Sequence, residues 1–331
     1  MKSIKAIQKT LLLFFFISTA LVANNKVGFT TFDVYSKHRN HDIKTMVFYP
    51  SSDKEEFILG KHKLFMSQSV ALDGTLKKGK YPLIFLSHGG LRSAPNKIDW
   101  LAKVLAQKGF IVLLTRSKLD KKIAFYEPWF RANDMLISLE KLKESEKFKD
   151  SIDYENINSV GFLLGATSLA LSSSAKLNIE SYKNQCLNTQ SLDCTWYKKN
   201  DIDLKSFDMS FIENIEVLLP SKKVVLFDME YSKMFDKNSL KYAMSNFLFV
   251  NLSDQKVLDN SHFKDGFLYK NIKNANVFSS FSLCTKKGEI ILKGTKEKPN
   301  LCSQKSIEKR DFYDIIITEI LSYLIIEKEV L

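Results

Sequence analysis

Five residues, Gly161-Phe162-Leu163-Leu164-Gly165, have the spacing of a device for acyl transfer. A β-like run, Asn158-Ser159-Val160, leads into them and a small apolar run from Ala166 to Ala175 leads out. The pentapeptide therefore reads as a sharp strand-to-helix turn that lifts its central side chain above a sheet edge. In a working turn of this kind the apex is a serine. Here it is Leu163, and a hydrocarbon side chain can neither give up a proton nor attack a carbonyl. A second element of the same chemistry is His88-Gly89-Gly90, which follows an apolar run. Stabilising an oxyanion needs only backbone N–H groups, so the Gly89-Gly90 turn and Leu164 retain that capacity.

The other residues able to move protons are scattered. Asp254 follows the apolar run Phe247 to Leu252 and is the acid candidate, although a plain strand-end aspartate has the same appearance. His262 is the candidate substitute base, with a solvent-facing histidine as the alternative. Asp228 ends another strand-like run and is a second acid. Ser87, Ser93, Thr167 and Ser168 are hydroxyls near the turn, but none is at its apex. His38 and His41 share a metal-like spacing without a third ligand, and they read as exposed turn residues. No metal and no cofactor is expected.

The compartment narrows the choices. Lys2, Lys5 and Lys9 precede an apolar run from Leu11 to Leu21 that is short for a membrane span and ends in small residues, the pattern of an export signal cleaved after Ala23. An uncleaved anchor is the alternative. No later stretch is long and apolar enough for a second crossing. An even number of cysteines, Cys186, Cys194, Cys284 and Cys302, fits two disulfides in an oxidising periplasm. Three pairings are open, and proximity favours Cys186–Cys194 with Cys284–Cys302. The formal charge of +12 includes the three signal lysines, and the rest are spread without aromatic interleaving. That distribution describes a solvated lysine-rich surface and argues against a nucleic-acid partner.

The elements that must position these residues follow in order. Val27 to Tyr35 and Lys44 to Tyr49 read as a hairpin around the polar turn Ser36 to Asp42. Tyr81 to Ser87 is apolar almost throughout, as a central parallel strand covered on both faces should be. A helix from a cap at Asn96 to Gly109, a strand over Phe110 to Leu114, a helix from Glu127 to Phe148 and a short strand before the turn complete repeated βαβ units. Residues 178–220 lose this pattern and read as a covering insertion. Strands at Val224 to Asp228, Phe247 to Leu252 and Asn271 to Phe278 and a helix from Asp311 to Ile326 close the chain. After residues 1–23, one α/β domain over 24–331 is expected: a doubly wound, mostly parallel sheet with an N-terminal antiparallel hairpin.

Val27-Gly28-Phe29, Val47-Phe48-Tyr49-Pro50, Leu86-Ser87-His88-Gly89-Gly90, the turn at Leu163, both cysteine pairs and Lys309-Arg310 occur in an order that resembles the α/β-hydrolase superfamily. Within it, the chain is similar to the exported bacterial branch related to dienelactone hydrolase and platelet-activating-factor acetylhydrolase. The resemblance implies a nucleophile at Leu163, an acid at Asp254 and a histidine at Val277. Two of these three positions are apolar here. The expected function is accordingly a catalytically inactive envelope protein that binds a hydrophobic or acyl ligand, in a pocket formed by Leu163, Leu164 and Val277, or meets a protein partner. A weak ester or lipid hydrolase is the first alternative. The second is a structural envelope protein whose insertion fills the space above Leu163.

Overall fold

The computed structural model describes residues 25–60, 62–91, 97–187, 192–213, 217–252, 263, 266–293, 301–302 and 306–325. Residues 1–24, where the export signal is expected, and Ser93, Asn96, Asp254 and His262 lie outside the described residues.

The strands are β1 (Lys26–Ser36), β2 (His41–Ser51), β3 (Phe57–Leu59), β4 (Gln68–Leu72), β5 (Tyr81–Ser87), β6 (Ile111–Arg116), β7 (Ile152–Phe162), β8 (Lys223–Phe227), β9 (Asn246–Asn251) and β10 (Leu268–Asn271). They form one 10-stranded sheet in the order β10-β9-β8-β7-β5-β6-β2-β1-β4-β3. The pairs from β6 through β5, β7, β8 and β9 to β10 are parallel. β1 and β2 make the expected antiparallel hairpin, with Val34 opposite Ile43, and β2 joins the sheet antiparallel to β6.

The helices are α1 (Asp99–Gln107), α2 (Glu127–Lys143), α3 (Leu164–Leu171), α4 (Ile179–Lys183), α5 (Leu192–Lys199), α6 (Ser210–Glu213), α7 (Lys237–Lys241), α8 (Lys286–Lys293) and α9 (Ser306–Ile325). Strand alternation sorts the core into two layers. Ile84, Leu86, Val112, Leu114, Val160 and Phe162 pack with Leu101 and Leu105 of α1 and Ile316 and Ile320 of α9. Leu83, Phe85, Ile111 and Leu113 face Met135 and Leu139 of α2 and Leu169 of α3. Both faces of the central strands are thus covered, which is why they read as continuous apolar runs. No helix among the described residues is long and apolar enough to cross a membrane.

Several boundaries correct the sequence expectation. α1 begins at Asp99, with no side-chain cap at Ile98. α2 ends at Lys143, and the chain turns through Phe148 before β7, which is an eleven-residue strand instead of a short one. The final strand ends at Asn271: Asn274 has φ 62°, and residues 272–280 form turns where a strand over Asn271 to Phe278 was expected. β3 and β4 had no counterpart in the sequence reading. The insertion is not patternless, since it carries α4, α5 and α6.

Chain order also locates a crevice. From β5 the chain moves outward to β6, then crosses back over β5 to lay down β7 on the other side. Ligand crevices of open α/β sheets lie beyond the carboxyl ends of the strands at such a reversal. At this one stand His88-Gly89-Gly90 after β5 and Leu163 after β7.

Candidate functional site

Leu163 has φ 54° and ψ −121°, a backbone pose that an L-residue with a branched side chain adopts only when its surroundings impose it. Two long-range hydrogen bonds impose it. The Leu163 N–H donates to the Phe227 carbonyl at 2.9 Å, and the Glu230 N–H donates to the Leu163 carbonyl at 3.3 Å. The glycines on either side do not carry the turn's positive φ. A Cβ on Gly161 would stand 2.8 Å from the Ala166 backbone, and one on Gly165 would stand 2.5 Å from the Ser87 and His88 carbonyl oxygens. They are glycines so that α3 can lie against the ends of β7 and β5.

Across the crevice, Gly90 has φ 48° and Gly89 faces the apex. A methyl group placed on Gly89 would stand 2.7 Å from Leu163 Cδ1. The isobutyl group therefore lies directly over the turn that would bind an oxyanion. Leu163 also packs against Phe65, Phe281 and Leu301, with Phe278 and Leu64 beside them. The cover over Leu163 thus comes from the loop before β4 and from the second cysteine stretch. Leu164 is buried in the core, so its side chain is no pocket wall and only its backbone, in the first turn of α3, faces the site.

The second cysteine stretch is pinned from several sides. Trp100 Nε1 donates to the Ser280 carbonyl at 2.8 Å and Tyr313 Oη to the Phe281 carbonyl at 2.6 Å, with the two rings stacked 3.5 Å apart. Ser282 N–H donates to the Lys97 carbonyl, Ser282 Oγ to Asp99 Oδ1 at 3.1 Å, and Lys309 Nζ to the Ser282 carbonyl at 3.4 Å. Burial pushes the Asp99 carboxyl up to about 7, partly offset by the Ser282 hydroxyl. Burial lowers Lys309 to about 8. Val277 is half-buried in the turn just before these anchors. The structure brings Leu163, Gly89 and the second cysteine stretch together; it describes neither Asp254 nor His262.

Residues that the sequence reading passed over hold the glycine turn. Arg131 donates to the His88 and Gly90 carbonyls, both at 2.9 Å. Glu127, one helical turn earlier, accepts from Arg131 Nε at 3.2 Å and from Arg39 at 2.6 Å. Arg39 also reaches Asp134 at 2.8 Å. All four are buried. Burial alone would raise Glu127, but Arg39 and Arg131 outweigh it and hold the carboxyl below its ordinary value. Burial, opposed by Arg39, raises Asp134 to about 6. Glu127, Arg131 and Asp134 fall at i, i+4 and i+7, a charged stripe that could have been read as an inward face. The hairpin turn is drawn in as well: His38 stacks on Phe130 with centroids 5.8 Å apart, which corrects the exposed-turn reading.

The remaining polar groups are occupied or neutral. Burial, then the Arg131 charge, lowers His88 well below the usual imidazole value, so it is not a cation. Thr167 Oγ1 donates to the Glu230 carbonyl at 2.6 Å and Ser168 Oγ to the Leu164 carbonyl at 3.0 Å, so both hydroxyls are engaged with backbone. Asp228 follows β8 and is 2 % exposed. Its Oδ1 accepts from the Leu252 N–H at 2.9 Å, while its buried Oδ2 has no partner among the described residues. Burial pushes it to about 7. Glu230 is raised well above its ordinary value by burial and then by Asp193 of α5, with Arg131 opposing.

The expected disulfides Cys186–Cys194 and Cys284–Cys302 both form. The insertion docks beside the site: Tyr182 Oη donates to the Phe125 carbonyl at 3.1 Å and Tyr126 Oη to the Asp208 carbonyl at 2.7 Å.

No family model and no curated protein sequence matches the chain. Among solved structures, a ferulic acid esterase from Streptomyces cinnamoneus is similar at a TM-score of 0.54 and 10 % sequence identity, over 92 % of this chain and 91 % of that one. At that identity the likeness bears on fold alone.

Proposed function

With the α/β-hydrolase fold as premise, we propose that this chain is a catalytically inactive protein of that fold, exported to the cell envelope, which binds a hydrophobic or acyl ligand or a protein partner. The observation that carries the reading is Leu163: the strained elbow is intact, yet its apex is an isobutyl group lying on Gly89. Acyl transfer needs a nucleophile at the apex and room for the substrate carbonyl over the glycine turn, and one side chain removes both. The apolar Val277 in the stretch where the resemblance implies a histidine leaves no base there. Two disulfides fit an oxidising compartment and support the export reading.

Hydrolysis of p-nitrophenyl acetate, γ-butyrolactone and ethyl ferulate tests the reading. The expected rate equals the spontaneous one, and Leu163→Ser alone restores nothing, because the position where the resemblance implies the base is Val277. Turnover by the unaltered chain that disappears on substitution of Gly89 or Leu163 defeats it.

Slow hydrolysis through a water is a second reading, favoured by Asp228 Oδ2, which has no partner among the described residues and stands one residue after the carbonyl that holds Leu163, and by the surviving glycine turn. It also calls on Asp254 and His262. An ester activity that survives His262→Ala removes His262 as its base.

A further inference from the structure

The Cys186–Cys194 bridge does more than close the insertion, because it sets two polar residues side by side. Gln185 precedes Cys186 just after α4, and Asp193 precedes Cys194 in the first turn of α5, with the two cysteine Cα atoms 5.3 Å apart. Both are buried, Gln185 at 4 % and Asp193 at 6 % exposure. The third member of the group is Glu230, in the turn after β8. Its N–H holds the Leu163 carbonyl and its own carbonyl accepts from Thr167, so the elbow fixes its place. The Asp193 and Glu230 charges act on one another, and both act on the Tyr182 and Tyr231 hydroxyls. The rings of those two tyrosines meet edge to face with centroids 5.0 Å apart. The Gln185 amide stands beside the Tyr182 hydroxyl but outside hydrogen-bond geometry, since that hydroxyl donates to the Phe125 carbonyl.

Two members of this group have acceptor capacity left over. Among the described residues, the buried Oε1 and Nε2 of Gln185 and Oε2 of Glu230 make no hydrogen bond. Buried polar atoms are almost always paired, so three without partners in one cluster mark a place for something further. The Arg131 charge reaches Glu230, but its guanidinium is committed to Glu127 and to the His88 and Gly90 carbonyls. Two carboxylates and an amide oxygen therefore converge in a dry interior. The adjacent sulfurs are taken up by the disulfide and the set contains no imidazole, so transition metals are poorly served. Magnesium, which keeps most of its waters, suits a buried protein-made cluster less well than calcium. We propose that Gln185, Asp193 and Glu230 bind one hard divalent cation of the calcium class, tying the insertion to the elbow. Histidine and cysteine spacing does not reveal such a set, because its oxygens come from two separate segments. The site goes beyond the reading of an inactive elbow and does not depend on it, since the cation is held whether or not esters are turned over.

Terbium, which takes calcium sites and emits when excited through a nearby tyrosine, tests the proposal on the disulfide-intact protein. After dialysis against EDTA and then against buffer alone, terbium chloride is expected to give tyrosine-sensitised emission that saturates at a single ion per chain and is displaced by calcium chloride. Glu230→Gln is expected to weaken terbium by about tenfold or more, and Gln185→Leu by a similar factor. Asp203→Asn, at an exposed acid of the same insertion, is expected to leave it unchanged. If Glu230→Gln does not fold, Gln185→Leu carries the test, because a buried amide without partners gives way to a hydrocarbon of its size at little cost. Calcium chloride is also expected to raise the thermal midpoint of the unaltered, EDTA-treated protein. No saturable emission, emission that survives Gln185→Leu at full affinity, or a thermal midpoint indifferent to calcium overturns the proposal, and the cluster then holds water only. Ester turnover with intact terbium binding defeats only the inactive-elbow reading; silent esters without terbium binding defeat only this one.

Discussion

Two stretches of this chain are closed by a disulfide, and they do opposite things to the space around them. The Cys284–Cys302 stretch is held down by α1 and α9 through Trp100, Asp99, Lys309 and Tyr313, and with Phe281 and Leu301 it packs onto Leu163. The Cys186–Cys194 stretch rests on its flanks and leaves an opening between α4 and α5. The same covalent device shuts the crevice that the sheet topology provides and frames another where topology provides none. The difference lies in where each stretch docks: onto Leu163 in one, onto the Ala124 and Phe125 carbonyls before α2 in the other. A fold thereby sets where a crevice can be, and side chains decide whether it is used.

The largest expected effect breaks the closed side at its base. Arg131→Ala removes the clamp on His88 and Gly90 and leaves Glu127 with Arg39 alone, so urea unfolding should show a loss of about 3–5 kcal/mol. Next come the disulfides: by loop entropy, Cys284→Ser with Cys302→Ser should cost about 3 kcal/mol and Cys186→Ser with Cys194→Ser slightly less. Only the second pair should reduce terbium binding, which reverses the order of the two stretches between stability and ligand affinity.

A pH titration sharpens the contrast further. Asp99 and Asp228 have folded-state values raised by burial from 3.8 to about 7. A carboxyl raised on folding favours the folded state while protonated, so its contribution is full below the unfolded value and is lost as pH climbs toward the folded one. Thermal stability should accordingly fall between about pH 4 and pH 8, and Asp228→Asn and Asp99→Asn should each flatten the slope. The smallest effect is at Gly89. Gly89→Ala should cost about 1 kcal/mol by displacing Leu163 Cδ1, and Leu163→Ala should relieve most of that cost in a double-mutant cycle.

The sheet's centre was legible because its strands are apolar on both faces: Tyr81 to Ser87 and Phe110 to Leu114 can hardly be anything else. The elbow was legible from two glycines and a strand, although Leu163, and not the glycines, carries the unusual φ. The disulfide pairing followed from proximity. β3 and β4 were missed because Phe57 and Ile58 are exposed and the strands are too short to show alternation. The last strand slipped because Ile272, Ala275, Val277 and Phe278 supply apolar residues to a series of turns. Arg39, Glu127, Arg131 and Asp134 were missed for the opposite reason: charged residues are read as solvated until their partners, which lie in distant elements, are seen to meet them. The cover over Leu163 was equally hidden, since Phe65 and Phe281 are brought to it by two different loops.

The two hydrogen bonds that hold Leu163 come from residues much later in the chain, the Phe227 carbonyl and the Glu230 N–H. Neither partner exists for the turn until β8 has paired with β7. The elbow is therefore tied to its neighbour strand, and amide exchange at Leu163 should report the undocking of β8 more directly than the opening of β7.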